Sequence, residues 1–200
     1  DDHLLYTVRL RSGVKFHNGQ DVTPEDVIWS YQRCGNPDSA DIIQVAAFAD
    51  AEIYQEGENT VCFRLSEPSN EFISYLTTAV LPKDYTEQDT APVGTGPFKF
   101  VSRTAQDSVV LERFDDYWGE KPSLSKVTYK IIENADSVVM SLQSGAVDLF
   151  AHLTATQVAQ LGEGFHVEEG TMNLVQALYL NNAEAPFDDV RVRQALSYAI

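Results

Sequence analysis

Residues 126–161, KVTYKIIENADSVVMSLQSGAVDLFAHLTATQVAQL, decide the fold class because they predict a strand followed by two helices. Apolar residues alternate with polar ones from 127 to 131, which is typical of a half-buried strand. Apolar residues at helical spacing over 135–146 then predict the first helix. The sequence Thr-Ala-Thr-Gln at 154–157 is a capping box, which predicts the start of the second helix.

The residues after 161 continue this alternation of strands and helices. Two strands are predicted at 165–169 and 173–180, and the second is apolar on both faces, as a strand inside a covered sheet is. A helix is predicted from about 188, where an apolar stripe reaches residue 200 without a stop signal, so we expect this helix to continue beyond the given chain. The pattern predicts an α/β fold with a mixed sheet in this half of the chain.

The first half of the chain predicts smaller elements. Thr23 and Asp26 form a capping box that predicts a helix start, and Gly35 and the residues after it end that helix. The polar, proline-containing segment 82–92 predicts a domain boundary, with one domain over 1–90 and a second over 91–200. Strands are predicted at 4–10, 51–56, 60–65, 97–101 and 108–114, and a short helix at 69–77.

The charge of the chain limits its partners. Its 200 residues carry 30 acidic and 14 basic side chains, a net charge of -16. Such a charge repels phosphate backbones, so nucleic acid is not expected as a partner. No apolar run approaches the roughly 20 residues of a membrane-spanning helix. The chain opens Asp1-Asp2-His3 rather than with a basic and apolar leader, so any leader is expected outside the given chain.

Motifs of catalysis and cofactor binding are missing from this sequence. It contains no GxSxG, HExxH, GxxxxGK[ST] or GxGxxG motif. The four histidines lack ligand spacing, which favours surface or hydrogen-bonded histidines over a metal site. Adjacent carboxylates at 115–116 and 188–189 point apart, and we assign them to a turn and to a helix start. We therefore expect no enzyme, no cofactor and no metal.

Tyr179, Asn181 and Asn182 form the candidate ligand-binding site. They follow the predicted strand 173–180 at its carboxyl end, where open α/β sheets bind ligands. Side-chain amides can pair with a peptide backbone as donors and acceptors, and a tyrosine adds an apolar face and a hydroxyl. The alternative is that the two asparagines only turn the chain. The aromatic pair at 117–118 is assigned to loop packing rather than to ligand stacking.

Two cysteines, Cys34 and Cys62, lack the spacing of the usual zinc and redox motifs. A disulfide needs an oxidising compartment and closely placed Cα atoms, and the sequence shows neither. Two free thiols are favoured, with the disulfide as the alternative.

Five stretches carry a family resemblance. They are YTVRLRSGVKFHNG at 6–19 with TPEDV at 23–27, VGTGPFKF at 93–100, ERFDDYWG at 112–119, SGAVD at 144–148 and PFDDVRVRQAL at 186–196. In this order they resemble the family 5 extracellular solute-binding proteins, the oligopeptide-, dipeptide- and nickel-binding subunits of ABC importers. Arg113-Phe114 stands where the family usually has Asn-Pro, in a predicted structural turn.

The resemblance implies a periplasmic-binding-protein-like fold of type II, in which two lobes close over a solute. Residues 1–90 would belong to a peripheral α+β subdomain whose N-terminal part is missing, and 91–200 to part of the main α/β lobe. The second lobe would follow residue 200. The implied location is extracytoplasmic, in the periplasm or at the cell surface, with a lipid anchor on a missing leader as one option. The implied partners are a small solute, with peptides favoured, and an ABC permease in the membrane.

Two other functions stay open. One is a sensor or adhesion module that binds a solute without transport. The other is an enzyme on the same scaffold, with its site in the half of the protein that is not given. Relatives draw much of their ligand shell from the second lobe, so we expect this chain alone to bind peptides weakly.

Overall fold

The computed structural model describes residues 3–39, 45–171 and 177–199, apart from the side chain of Ala135. The chain divides into two compact units, Asp1–Phe150 and Ala151–Ile200. The first unit combines two sheets with helices, which confirms the predicted α/β class. The predicted boundary near residue 90 falls inside this unit and stays a prediction.

The first sheet contains β1 (Leu5–Arg9), β2 (Glu52–Gln55) and β3 (Thr60–Arg64), with β3 in the centre. Both pairings are antiparallel. A central strand is covered on both faces, and the three middle residues of β3, 61–63, are all buried. The chain turns between β2 and β3 at Gly57, whose φ of 69° suits glycine.

One helix packs against this sheet and completes the core of the first half. The predicted capping box of Thr23 and Asp26 is present at the start of α1 (Pro24–Gly35). A shorter helix than predicted, α2 (Phe72–Tyr75), follows β3. Aromatic rings fill the core, and those of Tyr31 and Phe63 meet edge-on with their centroids 5.1 Å apart. The buried core residues are Val27, Tyr31, Phe48, Ile53, Val61, Phe63 and Phe72.

The second sheet contains β4 (Phe98–Thr104), β5 (Ser108–Arg113) and β6 (Lys126–Lys130), in that spatial order. It confirms the predicted hairpin and the strand after it. Every strand pairing between described residues is antiparallel, so the parallel component of the predicted mixed sheet is not formed by them. The helix α3 (Ala135–Gln143) follows and buries Val138, Val139 and Leu142.

The second unit contains α4 (Ala155–Leu161) and α5 (Val190–Ala199). The capping box predicted at Thr154 is present, with Gln157 as its partner. The prediction of a strand at 165–169 is wrong, because these residues form no strand. Of the strand predicted at 173–180, residues 177–180 are not a strand, and residues 173–176 lie outside the described residues. An apolar pattern gives a strand only when a second strand supplies hydrogen bonds, and no described strand pairs with these segments.

The described helices fall short of the length and apolarity that crossing a membrane requires.

Candidate functional site

The predicted ligand residues lie at the surface of the second unit. Tyr179 is 92% exposed, and Asn181 and Asn182 are also exposed. The side-chain oxygen of Asn181 accepts a hydrogen bond from the N–H of Ala183 (3.1 Å). This contact is the turn-forming role that the sequence left as the alternative. The ring and hydroxyl of Tyr179 stay open to a ligand.

Asp189, the second residue of the carboxylate pair at 188–189, is bonded to Arg191 in the first turn of α5. Asp189 Oδ1 accepts a hydrogen bond from the backbone N–H of Arg191 (2.8 Å), and the Arg191 guanidinium Nε lies 3.1 Å from both carboxylate oxygens. These side-chain and backbone bonds from Arg191 lower the pKa of Asp189. Asp189 is thus a helix-start acid, as predicted, and not half of an acid/base dyad.

The aromatic pair at 117–118 lies in a loop that is bonded to the rest of the first unit. The Arg11 guanidinium lies 4.8 Å from the centroid of the Trp118 ring, and the Tyr117 and Trp118 rings are 5.1 Å apart. Arg113 holds the loop from its other side, through Asp115 (3.1 Å) and the carbonyl of Pro122 (3.2 Å). These contacts support the predicted packing role of the pair and the turn assigned to Asp115.

An apolar cleft of about 510 Å³ lies on one face of the second sheet. Residues on adjacent antiparallel strands share a face when they are paired, as Phe100 and Leu111 are. Phe98 and Val109, two residues away along each strand, lie on the same face, and Leu81 and Val93 also line the cleft. The sequence predicted both strands, but it did not indicate that residues of the segment 81–94 line the same cleft.

A β-bulge places one cation on this apolar face. The β4–β5 register shifts between Phe100 and Ser102, so that Arg103 pairs with Val109. A bulge adds one residue to its strand, and side-chain alternation shifts with it. Arg103 therefore lines the cleft in the position that a regular strand would give to Ser102.

His17 lies between this cleft and a smaller one of about 240 Å³. Its ring Nδ1 accepts a hydrogen bond from the N–H of Gly94 (3.2 Å), and its Nε2 lies 3.0 Å from the carbonyl oxygen of Gly96. The Phe114 ring meets it edge-on, with centroids 5.0 Å apart. Burial lowers the pKa of His17 below its ordinary value of 6.5. The sequence indicated a surface or hydrogen-bonded histidine, but it could not identify a partner almost 80 residues away.

The residues that line the two clefts are of types that bind solutes. Both clefts contain apolar side chains, an amide side chain and one acidic and one basic group each, which suit contact and hydrogen bonding with a solute. Among the described residues, no group of three or more His, Cys, Asp or Glu side chains could hold a metal ion.

Curated proteins of known ligand are similar to this chain. It is 30% identical over 216 residues to the oligopeptide-binding protein AppA of Bacillus subtilis (strain 168), covering 100% of this chain and 40% of AppA. It is 28% identical over 233 residues to the heme-binding protein A of Haemophilus influenzae, covering 100% of this chain and 42% of that protein. The chain therefore spans about two fifths of the length of these relatives.

Solved structures match the fold. The structure of Bacillus subtilis AppA in complex with a nonapeptide has a TM-score of 0.65 at 29% identity, over 74% of this chain and 32% of AppA. NikZ from Campylobacter jejuni, in complex with Ni(L-His), has a TM-score of 0.84 over 100% of this chain and 42% of NikZ. Because NikZ is only 23% identical, it supports the fold alone. These likenesses confirm the periplasmic-binding-protein-like fold.

The family assignment rests on the whole chain. The model of bacterial extracellular solute-binding proteins, family 5, middle region, matches residues 1–200. Members of this family bind solutes for ABC transporters outside the cytoplasm and are not enzymes. The match confirms the resemblance carried by the five sequence stretches, and the chain belongs to the family 5 bacterial extracellular solute-binding proteins.

Proposed function

We propose that this chain is part of a two-lobed receptor that binds a peptide outside the cytoplasm and delivers it to an ABC permease. The observation that carries the proposal is the family match over all 200 residues. The peptide is inferred from the likeness to an oligopeptide-binding protein, at 30% identity. The proposed location is the periplasm or the cell surface, in the second case with a lipid anchor.

The charge of the chain supports a peptide over heme. A net charge of -16 repels anions at long range. Heme carries two propionate groups and is repelled by an acidic surface, whereas a peptide without charged side chains is a zwitterion of zero net charge and is not repelled. The effect is screened by salt, so it favours peptides in encounter more than in final affinity.

Tyr179, Asn181 and Asn182 are the proposed ligand contacts on this part of the receptor. An exposed phenol and two exposed asparagines offer an apolar face, a hydroxyl and amide groups to a peptide backbone. Asn181 already uses its side-chain oxygen on Ala183, so its amide N–H groups are the part it would offer. A second lobe that closes on these residues would supply the remaining contacts.

Thermal unfolding with a panel of solutes tests the ligand class. A ligand that binds the native state raises Tm, because it removes native protein from the unfolding equilibrium. We expect a mixture of tri- to nonapeptides to raise the Tm of the receptor that contains this chain. Hemin and Ni(L-His) serve as comparisons from the ligand classes of the relatives. A rise with hemin or Ni(L-His) alone, or with none of the three, would contradict the proposal.

A second test separates transport from sensing. The peptide-loaded receptor should stimulate ATP hydrolysis by the ABC permease encoded beside it, when both are reconstituted in vesicles. The unloaded receptor is the control. A receptor that binds peptide but has no neighbouring permease gene, or leaves ATP hydrolysis unchanged, supports the sensor or adhesion alternative.

A further inference from the structure

The two ring nitrogens of His17 bond to one short segment of backbone. The N–H of Gly94 donates to Nδ1 (3.2 Å), so Nδ1 must carry a lone pair and no proton. The carbonyl oxygen of Gly96 lies 3.0 Å from Nε2, so Nε2 must carry the proton. The backbone N–H of His17 adds a third bond, to the carbonyl oxygen of Gly94 (2.9 Å). Only a neutral imidazole with its proton on Nε2 satisfies both ring contacts.

These bonds join two parts of the first unit that are distant in sequence. His17 lies in the turn between β1 and α1, which is closed on itself by the Phe16 N–H to the Gln20 carbonyl (2.8 Å). Gly94 and Gly96 lie directly before β4. The ring of Phe114, which follows β5, packs edge-on against the imidazole. His17 therefore connects the turn beside the first sheet to the start of the second sheet.

The charged groups around His17 oppose its protonation on balance. The carbonyl of Gly96 favours the charged ring, whereas burial disfavours it more, and the Lys99 ammonium of β4 also disfavours it. Glu112 of β5 lines the smaller cleft together with His17, but its carboxylate is paired with Lys99 at 2.9 Å. The remaining titratable groups that line the two clefts are Tyr85 and Asp89, from the segment before Gly94, and Arg103 of β4.

We propose that His17 is an acid-sensitive latch, which holds residues 94–97 against the turn at 13–21 while the imidazole is neutral and holds them more weakly when Nδ1 gains a proton. A protonated Nδ1 is a donor, and it would face the N–H donor of Gly94 at hydrogen-bond distance. One contact thus changes from attractive to repulsive. The connection between the turn and the start of β4 is weakened, because the bonds of the His17 N–H to Gly94 and of Nε2 to Gly96 remain, and the strand keeps its own pairing with β5.

The direction in which pH changes the stability follows from the pKa of His17 in the folded and in the unfolded chain. The unfolded chain binds the proton near pH 6.5, and the folded chain binds it at lower pH, because the pKa of His17 is lowered. The contribution of the latch to stability is therefore complete above about pH 6.5 and is lost as the pH falls towards the folded pKa. In that window the unfolding constant rises by up to about tenfold per pH unit for this one proton.

Two measurements on the receptor that contains this chain test the latch. Nitrogen-15 NMR of the histidine rings at pH 7.5 should show Nδ1 of His17 without a proton and Nε2 with one. Urea unfolding from pH 7.5 to 5 should show a steeper loss of stability for the wild-type chain than for His17→Gln, whose amide can still reach Gly96 but does not titrate. His166→Gln is the matched control, since that side chain is 84% exposed, and it should follow the wild type.

Either measurement can overturn the latch. A proton on Nδ1 of His17 at pH 7.5 contradicts it, and so does an equal pH slope in the wild-type chain and His17→Gln. If His17→Gln does not fold, hydrogen exchange at the Gly94 amide of the wild type decides. After correction for intrinsic rates, its protection should fall between pH 7 and 5.5, and constant protection counts against the latch.

Discussion

The carboxylate of Asp26 accepts a hydrogen bond from the backbone N–H of Lys83, 57 residues later in the chain (3.0 Å). Its other oxygen, Oδ2, accepts the N–H and the hydroxyl of Thr23 at the start of α1 (2.9 and 2.7 Å). Ser30, one turn further along the helix, accepts the N–H of Leu81 (2.9 Å). Side chains of α1 thus cap the start of this helix and also hold residues 81–83, which lie in the segment that leads to the second sheet.

Removal of the Asp26 carboxylate should therefore cost more than a helix cap alone. We expect Asp26→Ala to lower the free energy of unfolding by about 2–4 kcal/mol, because it removes a cap and leaves the N–H of Lys83 without its acceptor. Asp21→Ala is the control, since that side chain is 72% exposed and pairs only with Lys15, and it should cost less than about 1 kcal/mol. Urea unfolding measures both, and equal losses would contradict this role of Asp26.

The aromatic core predicts a sharp contrast within α2. Phe72 is fully buried, and its ring lies 4.9 Å from that of Tyr6 and 5.5 Å from that of Phe63. Phe72→Ala should lower the free energy of unfolding by about 3–5 kcal/mol, because it leaves a cavity in the core. Ile73→Ala, at a neighbouring side chain that is 66% exposed, should change it by less than about 0.5 kcal/mol. A larger loss for Ile73→Ala than for Phe72→Ala would mean that α2 is packed on its other face.

Local signals in the sequence predicted local structure well. The capping boxes at Thr23 and Thr154 formed as expected, because each needs only residues three positions apart. The strand order was beyond the sequence, because β1 pairs with β3 across some 50 intervening residues. The strand predicted at 165–169 failed for a related reason, since alternation does not specify a pairing partner.

The candidate site was predicted less well than the fold. Tyr179 and Asn182 are exposed as a ligand contact requires, but the strand meant to position them is not formed by residues 177–180. The two bonds of the His17 ring to the segment before β4 depend on tertiary contacts, and no spacing in the sequence indicates them.

The two cysteines should behave as free thiols of different accessibility. Both are unpaired, and Cys62 is fully buried in β3, with its sulfur 3.7 Å from the hydroxyl oxygen of Thr7. Burial raises the pKa of Cys34 above 9.0, so its thiolate is a minor species at pH 7. Iodoacetamide should modify Cys34 first, at a rate that rises with pH as the thiolate fraction grows, and Cys62 only after unfolding in urea. A disulfide would instead lower the intact mass by two hydrogens relative to the two-thiol form, and reduction would restore that mass.

The proposed ligand contacts make a prediction that is separable from stability. Tyr179 and Tyr198 both lie in the second unit and are 92% and 91% exposed, so neither substitution by alanine should change the Tm by more than about 2 °C. In the receptor that contains this chain, Tyr179→Ala should weaken peptide binding about tenfold or more, because it removes an aromatic contact. Tyr198→Ala should leave the Kd unchanged. Equal effects of the two substitutions would remove Tyr179 from the site.

Calorimetric titration with a peptide mixture, on the receptor that contains this chain and on the 200-residue chain alone, measures whether peptide binding needs both lobes. Half a cleft buries one side of a solute and gains nothing from lobe closure, so affinity requires both lobes. We predict tight peptide binding by the receptor, with weak or undetectable binding by the 200-residue chain. Tight binding by that chain alone, unaffected by Asn181→Ala and Asn182→Ala, or no peptide binding by the receptor, would contradict it.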